Sequence, residues 1–294
     1  MTECVFRGAG TALITPFRDG KVDYEAFDRL IDFQLDNGAA ALIVAGTTGE
    51  GAALTGEEYA RLIAAAVKRT GNRVPVIAGA GSNVTASAVE KTREAAAAGA
   101  DAVLLVTPFY NKTTQRGLAA HYRAIADQSP KPCILYNVPS RTGLNMLPET
   151  VAELADHPNI AALKEACGNI SQAARVRRLC GDRIALYSGC DDQTVPFLSL
   201  GGLGVISVAG NVLPREMSEI CRLWFAGDCA GAAAMHLRLL DVMNALMEET
   251  NPIPVKAACA RMGYGKNEVR LPLVPMEKEK EDRLMRLIGE ARIQ

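Results

Sequence analysis

Short apolar runs recur along this chain at spacings of roughly 20 to 33 residues, and the stretches between them carry apolar residues at helical intervals. The runs start near Thr11 (TALITPF), Ala41 (ALIVAGTT), Val74 (VPVIAGAG) and Ala102 (AVLLVTP). They continue near Pro132 (PCILYNVP), Ile160 (IAALKEAC), Ile184 (IALYSGC) and Gly204 (GVISVAGN). Each is almost continuously apolar, which predicts strands covered on both faces. The intervening stretches carry helix punctuation. One helix is expected to start at a cap on Asp23 and stop at Asn37-Gly38. A second is capped by Thr55, with Glu58 completing a capping box, and stops at Gly71. A third takes the same form from Thr85 to Gly99.

Eight strands alternating with helices predict an α/β protein, a (β/α)8 TIM barrel with parallel strands. An open doubly wound sheet is the alternative; it is disfavoured because no G-x-G-x-x-G turn follows the first run. "MSEICRLWFAGD" supplies the eighth helix. The segments "CAGAAAMHLRLLDVMNALMEE" and "KEKEDRLMRLIGEARI" read as further helices, with no Gly-, Ser- or Pro-rich linker before them. The expected organisation is therefore a catalytic barrel over residues 1–226 and a C-terminal helical appendage over 227–294, packed on the barrel.

Composition narrows the classes. The chain has 294 residues, 49% hydrophobic and 22% charged, with a formal net charge of -1 and no block of like charge. Neither a nucleic-acid face nor a membrane-surface patch is expected. No signal peptide and no membrane span is read from the chain, so a soluble cytoplasmic protein is expected. The eight cysteines form no C-x-x-C pair and the three histidines no metal-type cluster. Reduced cysteines and no metal are the expectation.

In such a barrel, chemistry sits at the C-terminal ends of the strands. The second run ends in Gly46-Thr47-Thr48-Gly49-Glu50, which reads either as an anion cradle of hydroxyls and amides or as a capped turn. The fourth ends in Thr107-Pro108-Phe109-Tyr110-Asn111, where the tyrosine alone says little. The fifth ends in Tyr136-Asn137-Val138-Pro139-Ser140-Arg141. Tyr136 shares a strand face with Ile134, and its phenol would relay protons or simply fill the core. Arg141 is a carboxylate clamp or a solvated cation. The sixth run carries Lys164 after four apolar residues, on the same face as Ala162. Burial there would leave its amine neutral and nucleophilic; the competing reading is a surface pair with Glu165. Gly189 ends the seventh run, and Asp191 and Asp192 after it read as helix caps rather than metal ligands. At one barrel mouth these residues combine into a nucleophile, a proton shuttle and a carboxylate cradle.

The segments "GTTGE", "TPFYN", "YNVPSRTG", "LKEACGN" and "GVISV", in that order, resemble the dihydrodipicolinate synthase / N-acetylneuraminate lyase family from Gly10 to Asn211. The Thr47-Thr48 pair and the "YNVPSRTG" segment with Arg141 fit the first branch better than the sialate branch. The resemblance implies that Lys164 forms an imine with pyruvate, whose carboxylate rests on Thr47 and Thr48. The derived enamine would attack L-aspartate 4-semialdehyde. Tyr136, Thr48 and Tyr110 would form the proton relay, with Tyr110 crossing from a neighbouring subunit. Arg141 would hold the semialdehyde carboxylate, and Gly189 and Ile206 would line the site. The product would be 4-hydroxy-tetrahydrodipicolinate, on the route to diaminopimelate and lysine. No organic cofactor is implied, and a tetramer built as a dimer of dimers is.

Two departures stand out. Cys190 replaces an aspartate frequent in relatives. At the implied lysine feedback site this chain has Gly56, Ser87 and Phe109 where lysine-sensitive relatives commonly have histidine, glutamate and tyrosine; Asn83 matches. Weak lysine inhibition is expected. The competing functions are a sibling class I aldolase acting on N-acetylneuraminate or a 2-keto-3-deoxy sugar acid, and a non-catalytic barrel that binds small acids. A metal-dependent aldolase lacks a ligand set in the sequence.

Overall fold

The computed structural model describes residues 4–292. The first three and last two residues of the expected barrel and extension lie outside the described residues. Eight strands close into a parallel barrel: β1 (Gly8–Ala12), β2 (Ala41–Val44), β3 (Val76–Gly79), β4 (Ala102–Val106), β5 (Cys133–Asn137), β6 (Ile160–Glu165), β7 (Ala185–Ser188) and β8 (Gly204–Ser207). β1 pairs with both β2 and β8, which closes the ring. All eight apolar runs become barrel strands. β1 begins at Gly8, earlier than the apolar run near Thr11. Its glycines hid it: a Cβ on Gly10 would lie 2.9 Å from the Phe6 ring, so only glycine lets Phe6 sit against the strand.

The barrel helices are α1 (Tyr24–Asp36), α2 (Gly56–Thr70), α3 (Thr85–Ala97), α4 (Gln115–Ala126), the short α5 (Pro139–Thr142), α6 (Pro148–Leu154), α7 (Ile170–Cys180), α8 (Thr194–Ser199) and α9 (Pro214–Phe225). Asp23 caps α1 through the Ala26 amide, at 3.1 Å. Thr55 and Glu58 form the reciprocal capping box of α2, and Gly71 ends that helix in the left-handed region. The third helix corrects the expectation. Val84, not Thr85, is its N-cap, because the Thr85 hydroxyl is taken by His121 Nδ1 of α4 at 2.9 Å. Asp191 also departs from its expected role. Its Oδ2 accepts from the amides of Val208 and Ala209, 3.0 and 2.9 Å away, so it caps the turn after β8 and not its own helix.

Beyond the barrel lie α10 (Cys229–Ala245), α11 (Ile253–Arg261) and α12 (Lys278–Ala291). α10 packs on α9, and α12 lies against both α10 and α11. Among the described residues no helix is long and apolar enough to cross a membrane.

Inward and outward side chains alternate along each strand. The barrel interior holds Ala12, Ala41, Ile43, Ile77, Leu104, Ile134, Tyr136, Ala162, Tyr187 and Ile206. The outward residues, such as Leu42, Val103, Leu135, Leu163 and Val205, pack against the helices in the larger core. Small interior residues, Ala12 on β1, Ala41 on β2 and Ala162 on β6, alternate with large ones and leave room inside for polar groups at the C-terminal end.

Candidate active site

Strand register brings the chemistry together. Tyr136 on β5 is the direct register partner of Lys164 on β6, and Lys164 in turn pairs with Tyr187 on β7. In-register residues of neighbouring parallel strands face the same side, so tyrosine and lysine meet inside the barrel. Lys164 Nζ lies 4.3 Å from the centre of the Tyr136 ring. Lys164 is 5% exposed.

Burial lowers the Lys164 pKa to about 8; Asp191 and Cys190 oppose that shift and Arg141 adds to it. At neutral pH about a tenth of such amines are uncharged, against fewer than one in a thousand for an ordinary lysine. The Tyr136 phenol moves the other way, pushed up to about 12 by burial, against the pull of Arg141 and a hydrogen bond with the Thr47 side chain. It is thus held protonated beside the amine, as a donor. The surface-pair alternative for Lys164 and Glu165 fails, since both are buried and point to opposite faces.

Glu165 works on the outer face. Its carboxylate accepts from Asn137 Nδ2 at 2.9 and 3.1 Å, from the Cys167 amide at 2.9 Å and from Gln172 Nε2 at 3.1 Å. Asn137 and Glu165 are register partners one residue beyond Tyr136 and Lys164. Their bonds tie the ends of β5 and β6 and so fix the spacing of the inner pair.

A cavity of about 530 Å³ opens at this end of the barrel, with Gly46, Thr47, Tyr136, Arg141, Asn251 and Arg270 in its walls. Thr47 faces the phenol. Thr48 is buried, and its Oγ1 accepts from Asn251 Nδ2 at 3.0 Å. The structure therefore gives Tyr136 Thr47 as its hydroxyl partner, where the resemblance implied Thr48; consecutive residues of the turn face different neighbours. Arg141, in α5, is exposed at the rim, where its Nη2 donates to the Asn251 carbonyl at 3.0 Å.

Tyr110 is 92% exposed, with a φ of 68°, and does not reach Tyr136 within the subunit. A bulky residue in the left-handed region is costly and marks a site held for a reason. Gly189 abuts the lysine: a Cβ there would lie 3.0 Å from Lys164 Cε and 2.6 Å from Ala166 Cβ. Ile206 is fully buried in the interior layer. Burial and the neighbouring carboxylates of Asp192 and Asp191 push the Cys190 thiol up to about 12, so it stays neutral beside Lys164. All eight cysteines are free. Among the described residues no group of three His, Cys, Asp or Glu side chains converges on a possible metal position.

Several site residues went unread in the sequence. Asn251 lies just before α11. Lys256 within α11 donates to Glu50 of the "GTTGE" turn at 2.5 Å, with side-chain exposures of 0% and 2%. Lys256 sits in "PIPVKAACA", a lone lysine in an apolar run, which is the same signal that singled out Lys164.

Fold and site together place the chain among the (β/α)8-barrel enzymes, with a buried amine at the C-terminal mouth. It belongs to the dihydrodipicolinate synthetase family, whose model matches residues 5–291. It is 50% identical to 4-hydroxy-tetrahydrodipicolinate synthase of Alkaliphilus oremlandii over 281 residues, 96% of this chain and 97% of the relative. Dihydrodipicolinate synthase from Thermotoga maritima superposes with a TM-score of 0.96 at 43% identity, covering 98% of this chain and 99% of that one. The chloride-inhibited dihydrodipicolinate synthase from Acinetobacter baumannii, complexed with pyruvate, gives 0.95 at 38% identity over 97% and 98%.

Proposed function

We propose that the chain is a lyase that condenses pyruvate with L-aspartate 4-semialdehyde to 4-hydroxy-tetrahydrodipicolinate, in cytoplasmic lysine and diaminopimelate biosynthesis. The observation that carries this reading is Lys164: buried, lowered in pKa and held against a protonated tyrosine in strand register.

The neutral Lys164 amine attacks the ketone carbon of pyruvate, and loss of water gives the imine. The pyruvate carboxylate rests on the Thr47-Thr48 turn. A methyl proton leaves, giving the enamine, whose carbon attacks the aldehyde and forms the new C–C bond. The aldehyde oxygen takes a proton and becomes the hydroxyl. The substrate's own amine then attacks the imine carbon, closing the ring and releasing Lys164. Tyr136, hydrogen-bonded to Thr47, supplies and removes these protons. Arg141 receives the semialdehyde carboxylate as a planar fork. Tyr110, projecting outward, completes the relay of a second subunit, so the working unit is at least a dimer and, following the family resemblance, a tetramer of two such dimers. No organic cofactor enters the scheme.

Turnover of pyruvate with aspartate semialdehyde, compared with N-acetylmannosamine, tests the branch. A preference for the semialdehyde of at least about a hundredfold in kcat/KM is expected. A preference for the sugar would move the chain to the sialate branch, and turnover of neither would favour a binding barrel.

Free lysine is expected to inhibit poorly. Phe109 lacks the hydroxyl, Ser87 the carboxylate and Gly56 any side chain to grip a cationic amino acid; a Cβ on Gly56 would meet nothing within 4 Å. Initial rates with millimolar lysine should stay within about twofold of the control, since an exposed ammonium without a carboxylate partner gains little. A steep fall in rate would restore a feedback site.

A further inference from the structure

Asn251 belongs to the C-terminal segment, yet it touches both halves of the substrate cradle. Its side-chain amide donates to Thr48 Oγ1 at 3.0 Å, and its main-chain carbonyl accepts from Arg141 Nη2 at 3.0 Å. It is 7% exposed and lies in the cavity wall. A hydroxyl that accepts from an amide has its own proton free to point elsewhere. The Asn251 amide therefore leaves the Thr48 proton to be directed at a bound carboxylate, and the Asn251 carbonyl fixes the guanidinium across the cavity.

What holds Asn251 is equally specific. It stands two residues before α11, and α11 is fastened to the threonine turn by the buried pair of Lys256 and Glu50. The second Glu50 oxygen accepts from the Arg270 amide at 2.9 Å, on the extended segment that forms another cavity wall. Gly51, next in the chain, is packed so closely that a Cβ would lie 1.9 Å from the Ala45 carbonyl oxygen. The turn has no freedom to drift from the segment that grips it.

We propose that Asn251 is a positioning residue that sets Thr48 for the pyruvate carboxylate, with α11 and the Lys256–Glu50 pair holding it in register. The C-terminal segment is then a wall of the active site. This rests on the pyruvate reading above.

The test is a double-mutant cycle in the full-length protein, using Asn251→Ala and the size-preserving Asn251→Asp, each with and without Thr48→Val. Pyruvate imine trapping in the unsubstituted protein is measured first; its absence would overturn the pyruvate reading and this proposal with it. With imine present, either Asn251 change should lower kcat/KM for pyruvate about tenfold, the scale of one hydrogen bond to a charged group. In the Thr48→Val background the same changes should cost less than about threefold, because the partner is already gone. KM for the semialdehyde should move less than KM for pyruvate, since the carbonyl that holds Arg141 is main chain. Equal losses in both backgrounds, no loss at all, or a parallel rise in both KM values with a fall in Tm would overturn the positioning role.

Discussion

Replacing Lys164 with alanine should abolish pyruvate adduct formation and reduce kcat/KM by about 10⁴-fold or more, the scale seen when a covalent nucleophile is removed from an enzyme. Incubation with pyruvate and borohydride followed by mass spectrometry should give one pyruvate-sized adduct on the unsubstituted protein, mapped to Lys164, and none on the variant. The rate of trapping should rise with pH, with its midpoint near 8, and level off about a unit above that. Burial has lowered the Lys164 pKa to about 8, and only the unprotonated amine attacks a carbonyl. Stability should move the opposite way to activity. The ammonium is buried and lies over the Tyr136 ring rather than against a carboxylate. Removing it relieves a desolvation cost, so Tm should hold or rise, as expected where a site is strained for function. An adduct on the alanine variant, or a trapping rate indifferent to pH between 6 and 9, would place the chemistry on another amine. Among the described residues Lys256 is the other buried lysine, but it is committed to Glu50.

The barrel was legible in the sequence because strands buried on both faces read as unbroken apolar runs, and capping residues punctuate the helices between them. β1 was the blurred case: Gly8 and Gly10 are dictated by close packing and carry no apolar signal. Lys164 and Tyr136 were legible for a related reason. A charged or phenolic group ending an apolar run must face somewhere, and period-2 alternation puts both inside. Their mutual register was not, since pairing between strands is set in three dimensions. The same limit explains the Thr85 cap: the sequence shows a capping residue but not the histidine across the groove that claims its hydroxyl. It also explains Asp191, whose partners are backbone amides in the turn after β8. Asn251 and Lys256 lie outside the strand–helix alternation, roughly 200 residues from Thr48 and Glu50. Long-range contacts of that kind leave no local periodicity to read.

Lys256→Met should be strongly destabilising, lowering stability by about 3–5 kcal/mol and Tm by roughly 5–15 °C. Both charges of the Lys256–Glu50 pair are out of solvent, at 0% and 2% side-chain exposure. Burial pushes the Lys256 ammonium down in pKa while Glu50 pulls it back, and Phe17 lies 3.9 Å beneath it. Methionine fills the space of the lysine stem, so packing should survive and the cost should come from the carboxylate left behind. Of its two hydrogen bonds Glu50 would keep the one from the Arg270 amide, with the Arg270 guanidinium as its remaining nearby positive charge. Glu50→Gln added to Lys256→Met should return most of the loss, because a neutral amide needs no counter-charge and still accepts from Arg270. Thermal melts of the two single variants and the double variant check this. If the double variant melts at or below the single Lys256 variant, the loss is one of packing and the unpaired charge is not its cause. Activity adds a second readout. The double variant regains stability without regaining the bond that ties α11 to the threonine turn, so its kcat/KM for pyruvate should stay below that of the unsubstituted protein even where it is fully folded. A recovery of both together would mean that the pair serves the fold alone.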